Sequence, residues 1–371
     1  MKNQIFLFLL HLILILLLSL SLPAGPLEGG EPAQTLPGTE STPPPAGNPL
    51  LSPTGNFTFG SEAVLKACWT EEELRGNPEE KKDRPAPKGS AVPPERTKPK
   101  NRRSPLPPEL RNSIRSVEPR EGERILALTF DFCEGWGEIT GYDAGVVDYL
   151  RENGVKATFF MGGRWMRDHP EKAQQLIADP LFEIGNHTWS HLNLRKKPMW
   201  RVRQEILWAQ AEYEMLREKL AARDCARNTG PAEQEKIPPL PSVFRFPFGT
   251  CKPEALEFLA GLGLPAIQWS VVPDDRGNDH TARQLSRFIL REARPGAIII
   301  LHANGHGYHT AEALPLFIPE LRKAGYELVT VSELLARARK VFNFSDCFEL
   351  KPGDNYRYDF ITGVRALVPK P

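Results

Sequence analysis

The sequence has little net charge and no paired-cysteine motif. Its 47 lysines and arginines almost balance its 46 acidic residues, so the formal net charge is only +1. This balance gives no electrostatic reason to expect a nucleic-acid partner. No Cys-x-x-Cys pair occurs, which argues against a structural zinc site or a thioredoxin-like redox site. The five cysteines are Cys68, Cys133, Cys225, Cys251 and Cys347. Because the number is odd, at least one of them has no partner within the chain even in an oxidising compartment.

The N-terminus has almost no charge after Lys2. The eighteen residues from Ile5 to Leu22 are apolar with three exceptions, and the small residue Ala24 follows. This order is typical of a secretory signal peptide over residues 1–24. The same length could also span a hydrocarbon core as an uncleaved anchor that tethers the chain to a membrane. Both interpretations predict export, to the periplasm, to the medium or to the outer side of the cytoplasmic membrane.

Proline is abundant in the segment that follows, with 19 of the chain's 36 prolines between positions 23 and 120. A segment of this composition cannot bury enough apolar surface to offset its chain entropy. We therefore predict a low-complexity linker over residues 25–120. An exception is the stretch 57–75, where Cys68 and Trp69 lie among apolar residues and predict a small packed patch.

Ordinary globular composition over residues 121–344 predicts one domain, followed by a C-terminal extension at 345–371. Short apolar runs predict strands at 124–130, 157–161, 181–185, 243–246, 266–269, 297–301 and 327–331. Helical periodicity predicts helices at 143–151, 170–178, 199–221, 253–259, 281–293, 311–323 and 332–340. This alternation predicts an α/β fold of about seven parallel strands with right-handed crossovers, as an open sheet or a barrel.

Polar side chains follow several of the predicted strands, where ligands of parallel sheets bind. His187 and His191 form an H-x3-H pair, a spacing that lets both imidazoles reach one metal ion. Two solvent-exposed loop histidines are the alternative. Asp131 ends a buried strand, where a carboxylate can serve as a general base, although it could instead cap the next turn.

Two further residues carry chemistry at strand ends. Arg245 lies between aromatic residues and needs a carboxylate partner if it is buried. His302 follows a hydrophobic strand and is suited to donate a proton to a leaving group. A hydrogen-bonded core histidine is the alternative for His302.

The motifs Thr-Phe-Asp, His-Thr-x-x-His, Arg-x-Pro-Phe-Gly and Leu-His occur in this order. This combination resembles the polysaccharide deacetylase family with the NodB homology domain, the carbohydrate esterases of family 4, over roughly residues 121–340. The resemblance implies a distorted (β/α) barrel and metal-dependent removal of N- or O-acetyl groups from a glycan. It implies a divalent metal ion as cofactor, with zinc as the first choice. It also assigns a role to each of five residues: Asp131 as base, Arg245 orienting that base, His302 as acid, and His187 with His191 as metal ligands.

We also expect substrate contacts from Phe248, Gly249 and Trp269. The sequence does not identify the polymer, which could be peptidoglycan, an exopolysaccharide, or a chitin-like or xylan-like chain. Two other functions stay open: a glycan-binding pseudoenzyme without the ion, and an amidase acting on a small amide.

The sequence departs from the family pattern at two positions. The family's second aspartate, the third metal ligand, is Phe132 here, which cannot bind an ion. Cys133, Glu134, Asp131 or water could replace it. No aspartate lies at the family's usual distance after Trp269, although Asp274 and Asp275 are near, so the partner of Arg245 stays open.

The cysteines suggest one disulfide across the predicted pocket. Cys133 and Cys251 follow strand-end motifs whose loops should face each other, so we predict that they pair in an oxidising compartment. Cys68, Cys225 and Cys347 would then supply a second bridge and one free thiol.

Overall fold

The computed structural model describes residues 57–87 and 92–360. The predicted signal peptide or anchor lies outside these residues. Within them, no helix has both the length and the apolar character that crossing a membrane requires.

The described residues form ten strands and twelve α-helices. The strands are β1 (Arg84–Pro85), β2 (Ser113–Pro119), β3 (Ile125–Phe132), β4 (Glu138–Ile139), β5 (Ala157–Met161), β6 (Phe182–Asn186), β7 (Val243–Phe244), β8 (Ile298–His302), β9 (Glu327–Val329) and β10 (Ala338–Phe344). The helices are α1 (Glu62–Cys68), α2 (Glu71–Leu74), α3 (Ala144–Glu152), α4 (Gly163–Asp168), α5 (Pro170–Ala178), α6 (Met199–Ala221), α7 (Asp224–Arg227), α8 (Pro231–Glu235), α9 (Pro253–Gly261), α10 (Ala282–Glu292), α11 (Thr310–Lys323) and α12 (Val331–Ala336).

A curled sheet of six parallel strands forms the centre of the fold. Its order is β7-β6-β5-β3-β8, and β9 pairs with the first half of β3. All eight residues of β3 are buried, as expected for a strand covered on both faces. Because the strands are parallel, the carboxyl ends of β3, β6 and β8 lie at one edge of the sheet. The predicted α/β barrel class is confirmed.

The predicted strand at 266–269 is wrong. Ala266 makes an isolated bridge to β7, and Val271 makes one to β8, so this segment lies between the two edge strands without forming a ladder. Two of its carbonyl groups, those of Ile267 and Gln268, accept hydrogen bonds from the Arg245 guanidinium instead of from a neighbouring strand. Because this segment makes only isolated bridges, the sheet closes only in part, as a half-barrel.

The last predicted helix is also wrong in its second half. Helix α12 ends at Ala336, and Ala338 begins strand β10. This strand pairs antiparallel with β2, which lies inside the predicted linker. Earlier in the same range, Val64 and Trp69 belong to the main hydrophobic core. Part of the proline-rich range is thus packed on the domain.

The cysteine pairing differs from the prediction. The disulfides are Cys68–Cys225 and Cys251–Cys347, and Cys133 is unpaired. Cys251 is buried with Cys347 in an apolar cluster, whereas Cys133 faces a cleft beside a histidine. The first bridge joins α1 to α7, and the second holds the segment after β10 against the domain.

Candidate active site

The end of β3 places alternating side chains in different surroundings. The carboxylate of Asp131 is buried and points toward the carboxyl edge of the sheet, where it accepts from Arg245 Nη1 at 2.7 Å. Phe132 points the other way, into an aromatic group in which its ring centroid lies 4.2 Å from that of Trp165. Cys133 returns to the side of Asp131. This is the alternation expected of an extended chain.

A tight turn after β6 presents the two histidines. Thr188 and His191 both have left-handed backbone angles, with φ of 68° and 53°. The side chain of Asn186 accepts from the Thr188 amide at 2.8 Å and fixes the start of the turn. As a result, the His187 and His191 rings meet edge to face with centroids 5.0 Å apart.

His187 is oriented by its second ring nitrogen. Its Nδ1 lies 3.0 Å from the main-chain oxygen of Arg245 and donates to it. Nε2 therefore carries the lone pair, and it faces Asp131 Oδ2 at 3.6 Å. The ring of His191 packs on Phe248, with centroids 4.7 Å apart.

Arg245 is fully buried, and its partner is Asp131. Its other guanidinium nitrogens donate to two main-chain oxygens, and its charge lies 3.9 Å from the centroid of the Phe160 ring. A buried guanidinium needs this number of partners to offset its lost hydration. The hydrogen bond at 2.7 Å fixes one oxygen of Asp131 and leaves the other directed at His187.

His302 has its own carboxylate, Asp275. The imidazole Nδ1 lies 2.8 Å from Asp275 Oδ1, and the main-chain amide of His302 donates to Oδ2 at 2.7 Å. Thr310 Oγ1 also donates to Oδ2. The sequence pattern offered Asp275 only as a possible partner of Arg245 and did not predict its pairing with His302. The available signal was only that an aspartate preceded the His302 strand.

Charge and burial set the protonation states of this group. Burial raises the pKa of Asp131, but the charges of Arg245, His187 and His302 outweigh it, so the pKa lies below its usual value. Burial lowers the pKa of His187, and this effect is larger than the rise that the negative charge of Asp131 causes. Burial also lowers the pKa of His191 well below its usual value, reinforced by the neighbouring histidines. The site thus combines an ionised Asp131 carboxylate with two histidines, His187 and His191, whose charged forms burial disfavours.

A cleft of about 660 Å³ is lined by Asp131, His187, His191, Asp275 and His302, with Arg245 buried behind it. Of the predicted substrate contacts, Phe248 and Trp269 line it, whereas Gly249 lies behind them with φ of 60°. A Cβ atom on Gly249 would come 3.0 Å from the Trp269 ring, so glycine permits this packing. The segment after β10 adds Glu349 and Tyr358 to one wall.

The donor atoms at the cleft floor fit a divalent cation. The possible ligand atoms of Cys133, His187 and His191 all lie within 4.8 Å of one another. Neutral imidazole nitrogens and a sulfur atom suit zinc and similar ions. Metal hydrolases use such a combination of a carboxylate, a cluster of cation ligands and a histidine.

Comparison with known proteins agrees with this class. Residues 118–223 match the family model described as "Polysaccharide deacetylase". The chain is 30% identical over 220 residues to a peptidoglycan-N-acetylglucosamine deacetylase of Bacillus cereus, covering 59% of this chain and 91% of that protein. It is 30% identical over 228 residues to a chitooligosaccharide deacetylase of Bradyrhizobium, covering 57% and 91%. The chain therefore belongs to the polysaccharide deacetylase family.

Solved structures give similar but partial matches. A crystal structure of a peptidoglycan N-acetylglucosamine deacetylase has a TM-score of 0.49 at 25% identity and covers 61% of this chain and 94% of that chain. A family 4 pseudoenzyme from Bacillus anthracis has a TM-score of 0.48 at 24% identity, with 60% and 68% covered.

Proposed function

We propose that this chain is a metal-dependent deacetylase that removes N- or O-acetyl groups from an extracytoplasmic polysaccharide. One observation carries the proposal: Asp131 and His302 approach each other at one edge of the sheet beside the histidine pair. Their ligand atoms lie within 4.8 Å of each other in a cluster that also includes Cys133. A base and an acid that can both reach one reacting group are what amide or ester hydrolysis needs.

Asp131 is the general base. Arg245 holds one carboxylate oxygen, which keeps the group ionised and fixes its direction, so the free oxygen can accept a proton from water in the cleft. His187 and His191 would hold the divalent ion, which when bound lowers the pKa of a coordinated water and polarises the acetyl carbonyl. Arg245 also fixes His187 through its main-chain oxygen, so one residue orients both the base and a ligand.

His302 is the general acid. Its Nδ1 is occupied by Asp275, which leaves Nε2 to deliver a proton to the departing sugar nitrogen or oxygen. The aromatic rings at the cleft rim, Trp136, Phe248, Tyr308 and Tyr358, offer faces on which pyranose rings can stack.

Export is supported by two observations. The N-terminal pattern is that of a signal peptide or anchor, and four of the five cysteines are paired in disulfides. Disulfides of this kind persist in oxidising compartments outside the cytoplasm. A polymer outside the cytoplasmic membrane is therefore the substrate class that suits the chain.

The test is acetate release from defined glycans. The zinc-loaded protein is incubated with peptidoglycan fragments, chitooligosaccharides and O-acetylated xylan, with and without a chelator. We expect acetate from at least one of these polymers, its loss on chelation and its return with zinc. Glycan binding without acetate release would favour the pseudoenzyme, and activity confined to small amides would favour the amidase.

A further inference from the structure

We infer that Cys133 is the third protein ligand of the metal ion, in place of the aspartate that the family carries. This inference deepens the proposed function and rests on it. The thiol lies at the floor of the cleft, 3.5 Å from the His187 Nε2 atom. It belongs to the cluster with both histidines, whose donor atoms all lie within 4.8 Å of one another.

The chain direction explains why the ligand has moved by one residue. Strand β3 stays extended through Phe132, whose ring enters the aromatic group under α4. Alternation then returns the side chain of Cys133 to the face that holds Asp131. The main-chain oxygen of Cys133 accepts from Thr140 Oγ1 at 2.7 Å and from Asn304 Nδ2 at 2.8 Å, so the main chain that carries the thiol is held in place.

The distances agree with coordination through sulfur. A zinc ion lies about 2.3 Å from sulfur and about 2.0–2.1 Å from imidazole nitrogen, so a tetrahedral angle places these donors roughly 3.6 Å apart. The observed 3.5 Å between Cys133 Sγ and His187 Nε2 fits this value. Binding would replace the thiol proton by the ion and release the proton to solvent.

The two other candidates fit the site less well. Asp131 faces His187 at 3.6 Å, but Arg245 holds its other oxygen, and its carboxylate does not belong to the cluster that contains both His187 and His191. Glu134 does not line the cleft. Its carboxylate accepts from the Thr140 amide at 3.3 Å and lies 3.8 Å from Arg164 Nε.

The donor set selects the cation. One thiolate and two imidazoles favour zinc or cobalt(II) over magnesium, calcium or manganese, which prefer oxygen ligands. With three protein ligands, a tetrahedral ion keeps one position for water or substrate, the arrangement of catalytic zinc sites. The family's aspartate would favour oxygen-preferring ions more than this site does.

The chain offers a direct test because only one of its five cysteines is outside a disulfide. Metal-free full-length protein is titrated with cobalt(II) and, separately, with zinc. The wild type is compared with Cys133→Ser, Cys133→Asp, His187→Ala and, as a matched control at the rival carboxylate, Glu134→Gln. The readouts are the sulfur-to-cobalt charge-transfer band, the zinc dissociation constant, and protection of the single thiol from a thiol reagent.

We expect the charge-transfer band in the wild type and in Glu134→Gln, and its absence in Cys133→Ser. Zinc should protect the thiol, and Cys133→Ser should weaken zinc binding by more than about 100-fold, because loss of an outer-sphere partner alone usually costs about 10- to 100-fold. Cys133→Asp should bind manganese better relative to zinc than the wild type does.

Two outcomes would overturn the inference in distinguishable ways. If Cys133→Ser binds zinc as tightly as the wild type while His187→Ala does not, the thiol is not a ligand but the proposed metal dependence stands. If the wild type binds neither ion, the proposed function fails as well.

Discussion

At the scale of single residues, Asp131 is held in its ionised form by neighbouring charges despite its burial. Arg245 and the two histidines that face it lower its pKa below the usual carboxyl range. A base with a lowered pKa works above that pKa and loses activity only as the pH falls through it. We therefore expect the acidic limb of the acetate-release profile to lie below the usual carboxyl range, as measured in the zinc-loaded protein.

Asp131→Asn tests the same role. The amide keeps the shape and can still accept from Arg245, but it cannot take a proton from water. We expect the metal content to stay near that of the wild type while acetate release falls by about two to four orders of magnitude. Parallel loss of metal and activity would instead make Asp131 a ligand.

The pair of His302 and Asp275 predicts a dependence on the leaving group. His302→Ala removes proton donation to a poor leaving group, so acetate release from an N-acetylated glycan should fall by about 10²–10⁴-fold. An aryl acetate ester needs no such proton and should lose much less. Asp275→Asn should show the same selectivity more weakly, because Asp275 acts through His302. Equal losses on both substrates would argue against an acid role.

At the scale of elements, the segment after β10 forms part of the cleft. Cys347 joins it to Cys251, Tyr358 lies 5.5 Å from Phe248 between ring centroids, and Glu349 accepts from the Trp269 indole through its main-chain oxygen. Removing this disulfide as Cys251→Ser with Cys347→Ser should free the wall of the cleft. We expect a raised KM for polysaccharide and a stability loss of about 2–5 kcal/mol.

The other disulfide is the control for this effect. Cys68→Ser with Cys225→Ser loosens α1 from α7, away from the cleft, and should lower the melting temperature with KM unchanged. Thermal unfolding and steady-state kinetics on both double variants distinguish a general loss of stability from an effect on substrate binding. A KM that rises equally in both would show that the segment after β10 has no particular role in the cleft.

Helix α6 contains a buried carboxyl with a stability cost. Burial raises the pKa of Glu212 to about 7. In the unfolded chain the pKa of Glu212 is about 4.5, so between pH 4.5 and 7 the unfolded chain has lost the Glu212 proton while the folded protein still holds it. The free energy of unfolding therefore falls as the pH rises through this window. Glu212→Gln should remove this loss, raising the free energy of unfolding by roughly 1–3 kcal/mol at pH 8 and leaving it nearly unchanged at pH 4.

The exposed Glu257 on α9 supplies a matched control. Glu257→Gln should change the free energy of unfolding by less than about 0.5 kcal/mol at either pH. Urea unfolding at the two pH values measures both variants. A Glu212→Gln gain that is the same at pH 4 and pH 8 would contradict the ionisation argument.

The pattern of apolar runs predicted most elements because strands β3, β5 and β8 are buried on both faces and helices have a clear period. It failed at 266–269, where carbonyl groups serve Arg245 instead of a neighbouring strand. It also failed for the cysteines, since pairing depends on which loops meet in space. Phe132 points away from the cleft and Cys133 into it because β3 stays extended through Phe132. The sequence alone does not show where this strand ends.

At the scale of the whole molecule, one sheet edge gathers the proposed base, the proposed acid and the proposed metal ligands from three strands far apart in the chain. The segment after β10 adds a wall to the cleft at that edge, and β10 itself pairs with β2 from the proline-rich range. If this edge is the active site, metal binding and acetate release depend on the same residues. Loss of one histidine should therefore abolish both while the fold stays intact.

The most direct measurement is metal analysis and acetate release on the same preparations of wild type and His187→Ala, both loaded with zinc and dialysed. The account predicts about one zinc ion per wild-type chain with acetate release. It predicts that His187→Ala loses most of both while its circular dichroism spectrum is unchanged. Full acetate release by His187→Ala, or wild-type activity without bound metal, would contradict the proposal that this chain is a metal-dependent deacetylase.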